Sequence, residues 1–354
     1  MHKSKFRFFL PFTAVILLGQ GCFGGQQTAG PDGGVWKTPD RAETWEQKRA
    51  LVTGAKVTAD AALISVFDLE MDPQDRKAIY LGTGEQGMMM SLDSGDSWRK
   101  VTSLGQQAVR AVAVDAKDKC TVYAASQNKI YKTDNCTRDW KQVFYDPRTD
   151  KVMTDVTVDW FNSLIVYAGT SDGDILKSED GGKSWKIVKR VDGTPISTIV
   201  ISPHDSRLVF VGTQGSGVWK TLDGGRTWLE IRKQFGDELR DARRVTQLVL
   251  DPKNENRIYL VAQKAGIIRS DDQGENWVAL NLPAPPGSFT INALAVDPRD
   301  PNTLVFTGPT TFTISSDAGN TWTAKKLPTT SAGTKLLIDP QDSTIFLGTR
   351  PQQQ

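Results

Sequence analysis

The chain has 354 residues, 24% of them charged and 38% hydrophobic, with 43 basic against 41 acidic side chains, two histidines and three cysteines. So even a balance gives no charge-based reason to expect nucleic acid or an anionic membrane surface as a partner. Beyond the N-terminal stretch no apolar run is long enough to span a bilayer. His204 is the one histidine left outside that stretch, which excludes Ser-His and Cys-His nucleophilic schemes and histidine metal sites.

Residues 1–21 read as a secretory signal: Lys3, Lys5 and Arg7 form a basic start, Phe8 to Leu18 is apolar, and small residues follow. Removing them takes away three basic residues and no acidic ones, leaving 40 basic against 41 acidic. Cys22 after Leu18-Gly19-Gln20-Gly21 resembles a bacterial lipoprotein cleavage site, with Gly19 where leucine is usual. The expectation is an exported chain anchored by a lipid on Cys22, on the extracytoplasmic side of a bacterial envelope. The alternative is an ordinary signal with an incidental cysteine. Residues 22–33, rich in Gly and Gln, read as a flexible tether. The folded body is expected over 34–350, with 351–354 as a tail.

From residue 34 onward a unit of about 45 residues recurs, which signals a repeat architecture. Its landmark is Ser/Thr-x-Asp-x-Gly-x-Ser/Thr-Trp, clean at Ser91–Trp98, Ser178–Trp185, Thr221–Trp228 and Ser315–Trp322. Ser270–Trp277 has Asn276 in place of the hydroxyl residue, and Thr38–Trp45 has Ala42 in place of Gly. Thr133–Trp140 keeps only its ends, with Asn135 and Thr137 in place of Asp and Gly. The acids Asp40, Asp93, Asp180, Asp223, Asp272 and Asp317 suit a tight turn, because a short polar side chain can bond nearby backbone groups there. Trp45, Trp98, Trp140, Trp185, Trp228, Trp277 and Trp322 each supply an apolar plate to lie beneath it. Nothing in the motif calls for a reaction.

A second landmark is an apolar strand closed by Asp and usually Pro, as in Leu69–Pro73, Ile199–Pro203 and Leu336–Pro340; Pro cannot continue a ladder. A further strand ends in Gly-Thr, as in Val209–Thr213. Each unit thus reads as strand A ending in Asp-Pro, strand B ending in Gly-Thr, strand C ending in Lys-Ser/Thr, the Asp turn, and strand D. Four short strands per unit is the arithmetic of a β-propeller blade. The last unit stops after strand B at Ile345–Thr349, and the body begins with strand C at Gly34–Thr38. The prediction is an all-β, seven-bladed propeller closed by a blade that the two termini share, which leaves no unpaired inner edge.

Cys120 opens strand B of its blade and Cys136 follows strand C, so antiparallel pairing puts both at one end. An exported protein permits a disulfide, expected here to compensate for the decayed turn at 133–140 and to contribute roughly 3 kcal/mol. Two unpaired buried cysteines are the alternative.

Carboxylates need separate attention, since two of them suffice for glycosidic hydrolysis. The acids the repeat does not dictate are Asp68, Glu70 and Asp155 on A strands, with Glu85, Asp172 and Asp174 in B–C turns. Asp68 and Asp155 occupy equivalent places two blades apart, where other units hold Ala111, Thr198, Gln247, Ala293 and Lys335. They are the candidate catalytic pair; solvated channel residues are the other reading. Opposite the Asp turns, the rim offers Arg110, Arg243, Arg244, Lys335, Glu85, Asp172, Asp174, Gln214 and Lys264 as candidate binding residues. The basic ones, at or near A-strand starts, would suit a carboxylate or an acidic peptide tail; a merely solvated rim is the alternative. Two long connections, about Ala50 to Ile64 and Arg232 to Arg244, feed the same face, the second as a short charged helix.

The seven turns make the chain resemble the Asp-box, or BNR, repeat family over nearly its whole body. That family includes sialidases, xyloglucan hydrolases, sortilin-type receptor domains and photosystem II assembly factor propellers, so the resemblance implies a fold and not one function. The chain lacks the Arg-Ile-Pro segment of sialidases, and Tyr80, Tyr123, Tyr131, Tyr145, Tyr167 and Tyr259 mostly fall on B or C strands. Xyloglucan hydrolases are double propellers of about twice this length. The resemblance therefore implies a single, anchored, non-enzymatic propeller, monomeric, without cofactor or metal, that binds protein or peptide, as the assembly factors and sortilin-type domains do. A glycan-binding or glycan-cleaving module using Asp68 and Asp155 is the runner-up.

Overall fold

The computed structural model describes residues 31–231 and 240–351. The expected signal, Cys22 and most of the tether lie outside them, as does most of the connection expected to form a charged helix. Within them the chain forms seven four-stranded antiparallel blades, one carrying two extra strands. In chain order the innermost strands of blades 1 to 7 are Val66–Met71, Ala111–Val114, Met153–Val158, Ile196–Ile201, Val245–Leu250, Ala293–Val296 and Ala332–Ile338. No described helix is long and apolar enough to cross a membrane.

Blade 7 is shared as expected. Gly34–Thr38 pairs antiparallel with Ile345–Arg350, from Gly34 opposite Thr349 to Thr38 opposite Ile345. Glu46–Lys48 completes this blade on the outside and Ala332–Ile338 on the inside.

The Asp turns explain their own sequence. In Ser91–Trp98 the Ser91 hydroxyl donates to Asp93 (2.7 Å) and accepts from the Gly95 N–H (2.8 Å). Asp93 in turn accepts from the Ser97 N–H and hydroxyl. Gly95 sits at φ +81°, left-handed backbone that costs glycine little; Ala42 and Thr137 take the same conformation where glycine is missing. Hydrogen bonds from Ser184 and Ser178 hold the Asp180 carboxyl down to about 2. The decayed turn keeps the bonding pattern, against the expectation that it is weakened. Asn135 accepts from the Asp139 N–H (3.0 Å) and its amide donates back to the Asp139 carboxylate (3.1 Å), so donor and acceptor have exchanged places. Cys120 and Cys136 are joined beside it.

The buried apolar residues gather in seven clusters, and each motif tryptophan reaches into the blade before its own. Trp98 packs with Val35 and Phe346, Trp228 with Tyr167 and Ile175, and Trp277 with Phe210 and Val218. Trp45 meets Phe312 edge-on at 5.4 Å, and Trp322 packs with Tyr259 and Ile267 of the preceding blade while meeting Phe306 of its own at 5.0 Å. The lysine of Lys-Ser/Thr also acquires a role, reaching forward to the next turn: Lys37 bonds the Ser94 carbonyl, Lys132 that of Gly181, and Arg269 that of Ala318.

The first of the two long connections has strands of its own. Ala50–Thr53 and Lys56–Asp60 form a hairpin, and Ala50–Thr53 runs parallel to Ser97–Lys100, extending blade 1 to six strands. Leu51 is buried beside Trp98, whereas the edge strand Lys56–Asp60 is exposed throughout, with charged ends that discourage further pairing. Replacing the fully buried Trp98 removes contacts with blades 1 and 7 and with this hairpin. Trp98→Ala is expected to cost about 3–5 kcal/mol, read by urea denaturation; a loss below about 1 kcal/mol would contradict the packing described.

Candidate functional site: the central channel and the rim above it

The inner strands begin irregularly, and this shapes the channel. Blades 1, 3, 4, 5 and 7 carry a register shift just before Asp68, Asp155, Thr198, Gln247 and Lys335. Bulges re-aim side chains, and all five of these residues line the channel. Blades 2 and 6 pair regularly there and hold Ala111 and Ala293. Polar character at this position thus accompanies the bulge.

Three of the five side chains do the same work. Asp68 accepts the Val112 N–H of the next inner strand (2.8 Å), Asp155 accepts the Ile199 N–H (2.5 Å), and Gln247 accepts the Leu294 N–H (2.9 Å) while donating to the Leu294 carbonyl (2.8 Å). Each joins a blade to its successor. The second oxygens are occupied too: Asp68 takes the Leu69 N–H and the Lys335 ammonium (2.7 Å), and Asp155 takes the Val156 N–H. A neutral amide fills the role as well as two carboxylates do, so the arrangement rests on acceptor geometry rather than on charge.

Glu70 stands two residues beyond Asp68, in a layer otherwise made of Ala113, Thr157, Val200, Val249, Ala295 and Leu337. No hydrogen bond or ion pair ties it to another described residue. Burial pushes its carboxyl up to about 8, reinforced by Asp68 and Asp155 and opposed by Lys335. Asp155 is pushed up to about 7, again chiefly by burial, with Lys335 and the Ile199 N–H opposing. Burial works against the Lys335 charge, but Asp68 outweighs it and holds the ammonium above its usual range. Among the described residues no group of three or more His, Cys, Asp or Glu side chains is placed to hold a metal ion.

The channel cavity measures about 700 Å³ and runs from this polar layer to the face that carries the Asp turns. Its walls are Val112, Val114, Val156, Val158, Ile199, Ile201 and their counterparts. Its mouth is the residue after each strand's final Asp or Ser: Pro73, Ala116, Trp160, Pro203, Pro252, Pro298 and Pro340. Those Asp residues cap the turns that follow, as Asp72 does for the Gln74 and Asp75 N–H groups.

On the opposite rim the basic candidates do not form one mouth. Lys335 is drawn into the channel by Asp68. Arg110 stacks on Phe67 at 5.7 Å, and Arg350, which no motif singles out, stacks on the same ring at 4.9 Å. Arg243 and Arg244 sit across the ring where blades 4 and 5 meet; the Arg243 carbonyl accepts the Gly217 N–H, and the Arg244 guanidinium bonds Gln263. These four arginines are exposed, as are Glu85, Gln214 and Lys264. Asp172 and Asp174 are committed elsewhere: Arg148 binds both along with Asp146, and Arg190 adds a second partner to the fully buried Asp174.

No protein-family model matches this sequence, and no curated protein matches it. Solved structures do resemble the fold. The GH74 xyloglucanase from Xanthomonas campestris superposes with a TM-score of 0.66 at 18% identity, over 81% of this chain and 51% of that one. The GH74 enzyme of Niastella koreensis gives 0.64 at 17%, over 81% and 51%. A YCF48 bound to a D1 peptide gives 0.62 at 18%, over 82% and 94%, and YCF48 from Cyanidioschyzon merolae gives 0.59 at 15%, over 81% and 96%. The chain spans about half the length of the xyloglucanases and matches nearly all of each YCF48. At these identities the likeness is one of fold.

Glu70 yields a pH prediction. Folded, it keeps its proton to about pH 8, whereas unfolded it loses it near its ordinary value of 4.5. Between those values the folded state binds more protons than the unfolded, so stability falls as pH rises. Glu70→Gln should leave the Tm unchanged at pH 4.5 and raise it by several degrees at pH 8, at about 2–4 °C per kcal/mol. An equal change at both pH values would contradict the shift.

Proposed function

We infer that this chain is a non-enzymatic propeller that binds a protein or peptide on the rim opposite its Asp turns, held at an envelope membrane through Cys22. One observation carries the case against hydrolysis. Asp68 and Asp155, the sequence's candidate acid pair, are both spent on backbone N–H groups, in a role that Gln247 also fills. A nucleophile or general base needs a free oxygen facing the substrate, and these acids accept two to three hydrogen bonds each.

Support for binding comes from the rim and from length. Arg110 and Arg350 both lie over the Phe67 ring, and Arg243 and Arg244 are exposed across the ring of blades. Guanidinium pairs suit carboxylate groups, which they bind bidentately. The full-length likeness to YCF48, one example of which holds a D1 peptide, agrees with a single propeller serving as a peptide-binding scaffold. The xyloglucanases share half their length with it.

Two double variants test this reading, Arg110→Ala/Arg350→Ala and Arg243→Ala/Arg244→Ala. At least one is expected to reduce partner capture from envelope extracts about tenfold or more, with the Tm held within a degree or two. Capture unaltered in both would remove the rim from consideration. A panel of chromogenic glycosides should show no turnover; turnover abolished by Asp155→Asn would overturn the reading in favour of hydrolysis.

A further inference from the structure

The channel departs from the repeat at two places, and both departures face the same cavity. At its mouth six blades place Pro or Ala, while blade 3 places Trp160, 44% exposed. Inside, six blades place small or apolar residues in the layer where blade 1 places Glu70. Neither residue serves the fold in a way its counterparts reveal. Trp160 follows Asp159 where proline would end the strand equally well, and Glu70 has no cationic partner while Lys335 is taken by Asp68. The inner end of the channel is therefore short of positive charge, with Glu70 and Asp155 facing one ammonium that is already paired. The walls between are aliphatic, as at Val156, Val158 and Ile201.

Those features describe an elongated cation rather than a compact one. A metal ion would need carboxylates converging on one point, and these do not. Glu70 and Trp160 stand three strand residues apart in level, roughly 10 Å at about 3.3 Å per residue. We propose that the central channel binds a linear aliphatic polyamine, entered from the Asp-turn face, with one ammonium between Glu70 and Asp155, the methylene chain along the valine and isoleucine walls, and a second ammonium against the Trp160 ring. Carboxylate–ammonium pairing is strong in an enclosed site, aliphatic walls favour the methylenes, and an indole face attracts a cation. The site is separate from the arginine rim.

Binding has a proton signature. Glu70 faces Asp68 on its own strand, Asp155 from blade 3 and Lys335 from blade 7. Both acids, Glu70 without a partner and Asp155 bonded only to backbone N–H groups, release their protons near and above neutrality, while an amine stays charged to about pH 10. Affinity should therefore rise with pH across that interval.

Titration calorimetry of the purified protein with spermidine, in 150 mM salt, tests the proposal. One molecule is expected to bind per chain, roughly tenfold more tightly at pH 8.5 than at pH 6. Glu70→Gln should weaken it roughly tenfold at pH 8.5 and Trp160→Ala severalfold, and 1,8-octanediol should not compete. Trp160 is exposed, so its variant tests the site even if Glu70→Gln folds poorly. No stoichiometric binding at pH 8.5 would overturn the proposal, as would affinity unchanged in Trp160→Ala or equal binding of the neutral diol.

Discussion

A ring of blades is only as good as its joins, because each blade is a small sheet with both faces apolar and nothing else to bury them. Here the joins come in layers. Outermost, a motif tryptophan wedges into the preceding blade. Next, a lysine or arginine at the end of strand C ties down the following Asp turn. Innermost, Asp68, Asp155 and Gln247 each satisfy a backbone N–H of the next inner strand, where an unpaired group would be expensive. The closure of the ring is different in kind: within blade 7 a β-ladder links the two ends of the described chain, and Thr349 adds a hydroxyl bond to the Gly34 carbonyl.

Much of this was legible in the sequence because repetition averages out local ambiguity. Seven tryptophans at near-constant spacing counted the blades, and the offset between the first and last units located the closing ladder. Strand order put Cys120 and Cys136 at one end of their blade, where the structure joins them. What escaped had no repeated counterpart. The hairpin at 50–60 occurs once, and its edge strand carries no buried face to give a pattern. The bulges leave no periodic trace, although a polar residue before Leu69, Val156, Ile199, Leu248 and Leu336 marks them in retrospect. The exchange of roles between Asn135 and Asp139 keeps the same hydrogen-bond geometry with the chemistry reversed, which a motif cannot register.

Departures from the repeat proved more informative about sites than the repeat itself. Asp68 and Asp155 looked exceptional as acids, yet by geometry they belong with Gln247. The sequence marks Glu70 only as an acid outside the repeat and leaves Trp160 unmarked, yet together they break two layers of the channel that the other blades keep. Arg350 gains its place only because ring closure brings the chain's end beside Phe67. In each case the residue type was visible in advance and its neighbour was not, since the neighbour comes from another blade.

The central claim is that the channel aspartates are joints between blades, a structural role that rests on hydrogen-bond acceptance rather than on charge. Thermal melts of Asp155→Asn and Asp155→Ala at pH 7 address it most directly. An amide oxygen can still accept the Ile199 N–H, as Gln247 does for Leu294, so Asp155→Asn should hold the Tm within a few degrees or raise it. Asp155→Ala should cost about 1–3 kcal/mol of stability, the cost of a buried N–H left unmet, and so lower the Tm by several degrees at about 2–4 °C per kcal/mol. An alanine variant as stable as the parent, or an asparagine variant as damaged as the alanine one, would contradict the account.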